Sequence, residues 1–389
     1  MDLHALAESN FSQTQNDRRH LHRFPELGFE EVRTAEYVSS QLRILGFTVR
    51  SGIAETGIVA SFDSGKAGPR FLLRFDMDAL PIQEENQVEY CSQQAGKMHA
   101  CGHDGHVAIG LTVGRMIIQL GAQLSGSFHL LFQPAEEIGQ GALKIVKEGV
   151  LDEVNPDFIL GVHLWNEKPL GWLGITDGPL MAASGKVDIT VNGEGGHGGQ
   201  PQKAKDPIVT SAQIIQQIQT IVSRNLDPLD AAVVSICTIE GGKRYNIIPS
   251  KVDLSGTIRY FTDQTYSVLK QRLSEICENT GRAMDCSVEL KLEPLVKATR
   301  NDPEVAGKVR KAALKMNQKV EVDQTYRTMI SEDVGVFLDL VPGCFVLVGA
   351  SDPSNENHFP HHHPRFNFDE RAMPLAAALL LQSCLELAG

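Results

Sequence analysis

Nine consecutive residues, Met98–His106 (MHACGHDGH), hold three histidines, one cysteine and one aspartate. Thiolate, imidazole and carboxylate at that density form a donor set for a transition metal. The small residues around Cys101 would let a metal or ligand approach closely. A second group is Gln133-Pro134-Ala135-Glu136-Glu137, where two carboxylates follow directly on the apolar run Phe128–Phe132. Such a pair is costly to bury unless something positive holds it, and a metal ion is the simplest candidate. A third group is His358 with His361-His362-His363-Pro364 near the chain end. Singly, each group has a plainer explanation: a capped turn at Asp76 and Asp78, a solvated strand end at His163, adventitious histidines at 361–363. Jointly they point to a metal site, with the choice among the three adjacent histidines open.

The elements that must position these groups are strands alternating with helices. Ile58–Phe62, Phe71–Arg74, Phe128–Phe132, Phe158–Val162 and Phe345–Val348 fit buried strands, and Val107–Leu120, Gly141–Glu148 and Asp302–Met316 fit helices. Residues 11–46 read as helix with a break at Phe24-Pro25. That alternation predicts an α/β catalytic domain around a mostly parallel sheet. The polar groups follow the strands directly: Asp76 and Asp78 after the second, Glu136-Glu137 after the third, His163 after the fourth. In open α/β sheets ligands bind outside the carboxyl ends of the strands, so these side chains would converge there.

The middle of the chain has a different order. Lys186–Val191, Ala232–Ile239, Val252–Tyr260 and Cys286–Leu292 read as strands, with helices at Asp206–Arg224 and Thr262–Asn279. Asp206 is the expected N-cap, with Pro207 at the first helical position. This β-α-β-β-α-β order is the ferredoxin-like unit. The expected organisation is therefore a discontinuous catalytic domain, 1–183 and 295–389, with an inserted α+β lid domain over 184–294.

Composition narrows the function classes. The chain has 389 residues, enough for two or three domains at ~100–200 residues each. Thirty-six Lys+Arg against 48 Asp+Glu leave a net charge of −12, which argues against nucleic acid and anionic membranes as partners. The start of the chain lacks the apolar stretch of a signal peptide, and no apolar run nears ~20 residues. Seven scattered cysteines suit a reducing compartment rather than a disulfide framework, so the expected location is cytoplasmic. Cys101 alone among them has metal-ligating neighbours. His129, alternating along a strand, reads as structural.

These residues resemble the metallopeptidase family of aminoacylases, bacterial carboxypeptidases and dipeptidases, and within it the amidohydrolase subfamily of hippurate hydrolases and indole-acetyl-amino-acid hydrolases. The resemblance covers nearly the whole chain. It is carried by Arg19–Glu31 (RHLHRFPELGFEE), Arg74–Pro81 (RFDMDALP), Met98–His106, Phe132–Glu137 (FQPAEE), Gly161–His163, Gly195–Pro201 (GGHGGQP), Gly241–Pro249 and Ser331–Asp333 (SED). It implies two divalent ions (Mn, Zn, Co or Ni) held by Cys101, His103, Glu137, His163 and the histidine before the C-terminal proline, aligned here with His362. It makes Glu136 the general base and acid. It puts His197 and Asn246, in the inserted domain, on the substrate. Arginine pairs well with planar anions, so Arg259 is expected beside Asn246 as a partner for a substrate carboxylate. The resemblance also implies a homodimer or higher homo-oligomer through the lid domain. The family's Pro-His after His197 is Pro201-Gln202 here. Lys243-Arg244-Tyr245 is more basic than usual, either a solvated hairpin tip or an attraction for anionic substrates.

The leading expectation is hydrolysis of N-acyl amino acids (N-acetyl, N-benzoyl or similar). The alternatives are a carboxypeptidase or dipeptidase acting on short peptides, and a non-catalytic metal- or partner-binding protein. The last would show a damaged ligand set, whereas Cys101, His103, Glu136, Glu137 and His163 are all present.

Overall fold

The computed structural model describes residues 2–351 and 359–389, so His358 lies outside the described residues. Contacts divide the chain into two compact units. The first comprises Met1–Leu180, Thr299–Arg327 and Asp333–Gly389; the second comprises Met181–Ala298 and Thr328–Glu332.

The first unit is built on an eight-stranded sheet. Its spatial order is Thr48–Ile53, Gly57–Asp63, Ser127–Gln133, Arg70–Asp76, Phe158–Pro169, Gly343–Ser351, Trp172–Gly174, Glu321–Asp323. The four central strands are mutually parallel, and the first two pair antiparallel at one edge. Because helices cover such strands on both faces, they read as near-continuous apolar runs rather than alternating ones. Phe71, Phe75, Phe128 and Phe132 are accordingly buried with Val107, Leu111, Leu375 and Leu379 in one core.

Helix His103–Leu120 begins four residues earlier than the apolar periodicity of Val107–Leu120 predicts. Its N-cap is Gly102, with φ +93° and no side-chain cap bond. A left-handed glycine lets the chain enter the helix straight from the Cys101 turn, so His103 becomes its first residue. Elsewhere the caps follow the sequence: Asp302 accepts from the Glu304 and Val305 amides ahead of helix Pro303–Lys315. The helical expectation over 11–46 resolves into Phe11–Arg23 and Val32–Leu45, separated by the Pro25 loop.

The second unit carries a four-stranded antiparallel sheet in the order Ala232–Gly241, Lys251–Tyr260, Ala183–Asn192, Ser287–Val296. Helices Pro207–Thr220 and Asp263–Ala283 pack on it around Val187, Ile189, Ile214, Leu269 and Leu273. This is the ferredoxin-like order. Asp206 caps the first of these helices, accepting from the Ile208 and Val209 amides. A separate two-stranded ribbon pairs His197 with Ile247 and Gly196 with Ile248.

Candidate metal centre

Asp76 and Glu136-Glu137 stand at or beyond the carboxyl ends of strands Arg70–Asp76 and Ser127–Gln133, whereas His163, expected after its strand, lies within strand Phe158–Pro169, which continues beyond it. Five candidate triads form among the described residues, and Cys101 belongs to two of them: Cys101, His103 and His163; and Cys101, Glu137 and His362. Within each, the donor atoms lie within 4.8 Å of one another. Cys101 Sγ is 3.5 Å from His163 Nε2, and His362 Nε2 is 3.4 Å from Glu137 Oε2. His103 Nε2 lies 3.9 Å from Glu137 Oε1 and 4.0 Å from Glu136 Oε2.

The histidine tautomers follow from their backbone partners. His103 Nδ1 donates to the Asp78 carbonyl at 2.9 Å, and His163 Nδ1 donates to the Leu164 carbonyl at 2.9 Å. With Nδ1 so engaged, Nε2 is the ring nitrogen that each histidine presents to the cluster, which is how metal-ligating histidines are commonly oriented. His103 Nε2 and Glu137 Oε1 are buried and make no hydrogen bond. Orphaned buried donors and acceptors of this kind are rare and call for a partner. Burial pushes the Glu137 carboxyl up to about 8, with Asp78 and Asp76 adding to the effect. Burial and the neighbouring Glu137 charge push the Cys101 thiol up. A cation among these groups would draw both back to their ionised forms. The residues thus fit a metal pair on tautomer, orphaned atoms and charge.

The structure separates the three consecutive histidines. His361 Nε2 donates to the Leu164 carbonyl at 3.1 Å, its ring packs on Trp165 and Phe366, and burial lowers its pKa to about 3. His363 stacks on Phe359, and its Nδ1 accepts from the Arg365 amide. His362 is held at φ +67°, its amide donating to the Ala100 carbonyl, and it alone of the three faces Glu137.

Within MHACGHDGH, roles divide as sharply. Asp104 Oδ2 accepts from Arg18 Nε at 2.8 Å and lies 2.7 Å from His22 Nδ1. His99 is buried and joins none of the candidate triads, with its pKa lowered to about 4 by that burial. His106 Nε2 accepts from the Leu164 amide, so its proton sits on Nδ1 and goes to Asp76 Oδ1 at 2.6 Å. Asp76 in turn accepts from Arg74 Nη1 at 2.6 Å. His129 bonds Ser61 and Ser127, away from the triads, consistent with a structural role.

Glu136 is set by groups that its own sequence neighbourhood does not announce. Its Oε1 accepts from the Asp333 amide at 3.4 Å. The Asp333 carboxylate takes Arg74 Nη2, Gln133 Nε2 and the Ala142 amide. Just before Glu136, Ala135 has φ +55°, a left-handed conformation that costs a non-glycine residue about 1–3 kcal/mol unless its surroundings hold it. Ser331–Asp333 and Arg19–Glu31 stand out as motifs, but nothing in them names this contact.

In the second unit, His197 Nδ1 accepts from the Gly199 amide at 3.0 Å. The neutral ring then carries its proton on Nε2, where it can be donated. Asn246 is one residue before His197's strand partner Ile247, and its carbonyl accepts from the Gly198 amide at 2.9 Å. The structure therefore gathers His197 and Asn246. It does not gather Arg259 with them. That residue stands near the far end of strand Lys251–Tyr260, roughly 25 Å of extended chain from Lys251. Its guanidinium bonds Thr257 Oγ1 and the Ile258 carbonyl. Lys243, Arg244 and Tyr245 are exposed.

The sequence matches peptidase family M20/M25/M40 over residues 72–386. The chain belongs to that family. It is 36% identical to the N-acetyl-L-cysteine deacetylase of Bacillus subtilis, over 95% of this chain and 87% of the relative. It is also 36% identical to an Arabidopsis thaliana IAA-amino acid hydrolase (ILR1-like 5), over 97% and 87% of the two chains. Among solved structures, a dinuclear metal-binding M20 peptidase of Bacillus subtilis superposes with TM-score 0.86 at 29% identity, covering 98% of this chain and 99% of that one. These family relations place the chain among hydrolases and agree with the amidohydrolase resemblance read from the sequence.

Proposed function

We propose that this chain hydrolyses the amide bond of N-acyl amino acids, releasing a carboxylic acid and a free amino acid. The carrying observation is the pair of ligand triads sharing Cys101, with Glu136 Oε2 4.0 Å from His103 Nε2. The names of the deacetylase and IAA-amino acid hydrolase relatives support the substrate class. On this reading Cys101, His103, Glu137, His163 and His362 would hold two divalent ions. When bound, such ions lower the pKa of water from ~15.7 toward ~7 and stabilise developing negative charge.

The remaining work falls to the chain. Glu136 takes a proton from the attacking water at Oε2 and returns it to the departing nitrogen, while Oε1 stays on the Asp333 amide. General acid–base help of this kind contributes about 10²–10⁴-fold. His197 donates from Nε2 to the oxygen that gains charge, a contribution of about 10²–10³-fold. Asn246 meets the substrate carboxylate. Arg259 is the weaker assignment for that carboxylate, since its guanidinium already bonds Thr257 and Ile258.

A hydrolysis panel of N-acetyl and N-benzoyl amino acids beside dipeptides, run after chelation and add-back of Mn, Zn, Co or Ni, tests this. The expected result is acyl-amino-acid cleavage that vanishes on chelation and returns with metal. Faster dipeptide cleavage would replace it with the peptidase reading. A fully metal-loaded protein inert on the whole panel would leave only binding.

The assembly reading is a homodimer through the second unit. It rests on strand Ala232–Gly241, which among the described residues is an edge strand with an exposed second half, open to pairing with a copy of itself. Light scattering should give twice the 42.6 kDa chain mass; a monomer mass at micromolar concentration would end this reading. Seven free thiols favour a cytoplasmic location, and no helix among the described residues is long and apolar enough to cross a membrane.

A further inference from the structure

Glu31 closes the PELGFEE segment and is fully buried. Its two carboxylate oxygens are both used, and neither bonds a proposed metal ligand. Oε1 accepts from the Ala135 amide at 2.9 Å, and Oε2 accepts from Thr56 Oγ1 at 2.6 Å. Thr56 belongs to the turn between strands Thr48–Ile53 and Gly57–Asp63, where Ala54 and Glu55 both have positive φ. Gly57, next in line, approaches Pro134: a Cβ there would meet Pro134 Cδ at 3.0 Å. Glu31 therefore ties two turns together from beneath. One of them is the turn that presents Glu136.

Ala135 is the residue through which that tie acts. It is buried, its φ is +55°, and it directly precedes Glu136. A left-handed residue reverses the chain direction, so a small rotation about Ala135 swings the next side chain. Gly28, three residues before Glu31, presses on the same residue: a Cβ at Gly28 would meet Ala135 Cα at 3.0 Å and Cβ at 3.1 Å. Two contacts from the same N-terminal loop thus converge on Ala135, one a hydrogen bond to its amide and one a close backbone approach.

We infer that Glu31 is a positioning residue for the reaction, holding the Ala135 amide so that Glu136 is presented in its working orientation. This rests on the assignment of Glu136 as the general base. It gives the PELGFEE loop a function, because that loop reaches across 104 residues of sequence to the turn after strand Ser127–Gln133. It also explains why an acid is buried there. A carboxylate accepts from two donors at once, and an apolar side chain of the same size would leave both the Ala135 amide and the Thr56 hydroxyl buried without partners.

The test compares Glu31→Met with Glu31→Gln. Methionine fills the space and removes both acceptors. Glutamine keeps an acceptor for the Ala135 amide and offers Thr56 a donor in place of an acceptor. With the best acyl-amino acid of the wild-type panel as substrate, Glu31→Met should lower kcat about tenfold to a hundredfold, the scale of a displaced catalytic group. KM and metal content by elemental analysis should stay unchanged, and Glu31→Gln should recover most of the loss. Deuterium exchange should speed up at the peptide covering 133–141 in Glu31→Met and return toward wild type in Glu31→Gln. If Glu31→Met does not fold, Gly28→Ala carries the test, pushing on Ala135 from the neighbouring position with the same kcat-only loss expected. An active wild type with normal kcat in Glu31→Met, or a loss of metal that glutamine does not restore, overturns the inference. A wild type inert on the panel instead overturns the functional reading, and the exchange data still judge whether Glu31 holds Ala135.

Discussion

Glu136→Gln is expected to cut kcat by about 10²–10⁴-fold, the range that general acid–base help contributes, while metal content stays at the wild-type level. The substitution is isosteric. The amide oxygen can still accept from the Asp333 amide, so the side chain keeps its place. The amide cannot take a proton from water or pass one to a leaving nitrogen. None of the proposed ligands changes, so elemental analysis should read the same stoichiometry before and after. Glu137→Gln is the contrasting control: Glu137 shares a triad with Cys101 and His362, and its loss should appear first in metal content. Near-normal turnover in Glu136→Gln would move the proton-transfer role to another carboxylate of the cluster.

Why Glu136 and Glu137 divide this way is a matter of backbone geometry. Strand Ser127–Gln133 is followed by Pro134 and by Ala135 in a left-handed conformation, which breaks the strand's alternation before the two acids. Glu137 turns to His362 and His103, and its own amide donates to Asp78 Oδ2 at 3.0 Å. Glu136 takes the Asp333 amide on Oε1 and keeps Oε2 4.0 Å from His103 Nε2, with no contact to His362 among its described partners. Two chemically identical side chains, adjacent in sequence, thus enter different surroundings.

Much of this was legible in the residues. Apolar runs ending in acids marked two strands with candidate ligands at their carboxyl ends, the run before His163 marked only the first part of strand Phe158–Pro169, and the order of elements in the middle marked the ferredoxin-like unit. What the residues could not carry was anything decided by a single backbone rotation or by a distant partner. Helix His103–Leu120 has a glycine N-cap with no side-chain signal, so periodicity places its start at Val107. The run His361-His362-His363 has no internal asymmetry. Only His362 faces Glu137, because Leu164 and Trp165 capture His361, Phe359 captures His363, and the Ala100 carbonyl fixes the backbone between them. The bonds from Glu31 to Ala135 and from Asp333 to Gln133 span 104 and 200 residues, beyond the reach of any local pattern. Arg259 shows the converse: an arginine chosen for its chemistry stands on a strand end that the fold does not bring to Asn246.

The Cys101→Ala variant is expected to show the largest change in metal content, because Cys101 is the one residue common to the triad with His103 and His163 and the triad with Glu137 and His362. Its loss should empty both positions or weaken them together, whereas His362→Ala touches only the triad with Glu137 and should reduce stoichiometry by about one ion of the two implied by such paired sites. His363→Ala, whose ring stacks on Phe359, should change nothing. Binding at Cys101 must also expel a proton from a thiol that burial and Glu137 hold up, so occupancy should fall as pH falls and proton release should accompany loading. Elemental analysis of protein separated from excess metal reads all three variants on one scale. Equal, undiminished occupancy in Cys101→Ala would refute its ligation. A one-ion loss in Cys101→Ala matching that in His362→Ala would confine the thiolate to a single ion and leave the two positions without a shared sulfur.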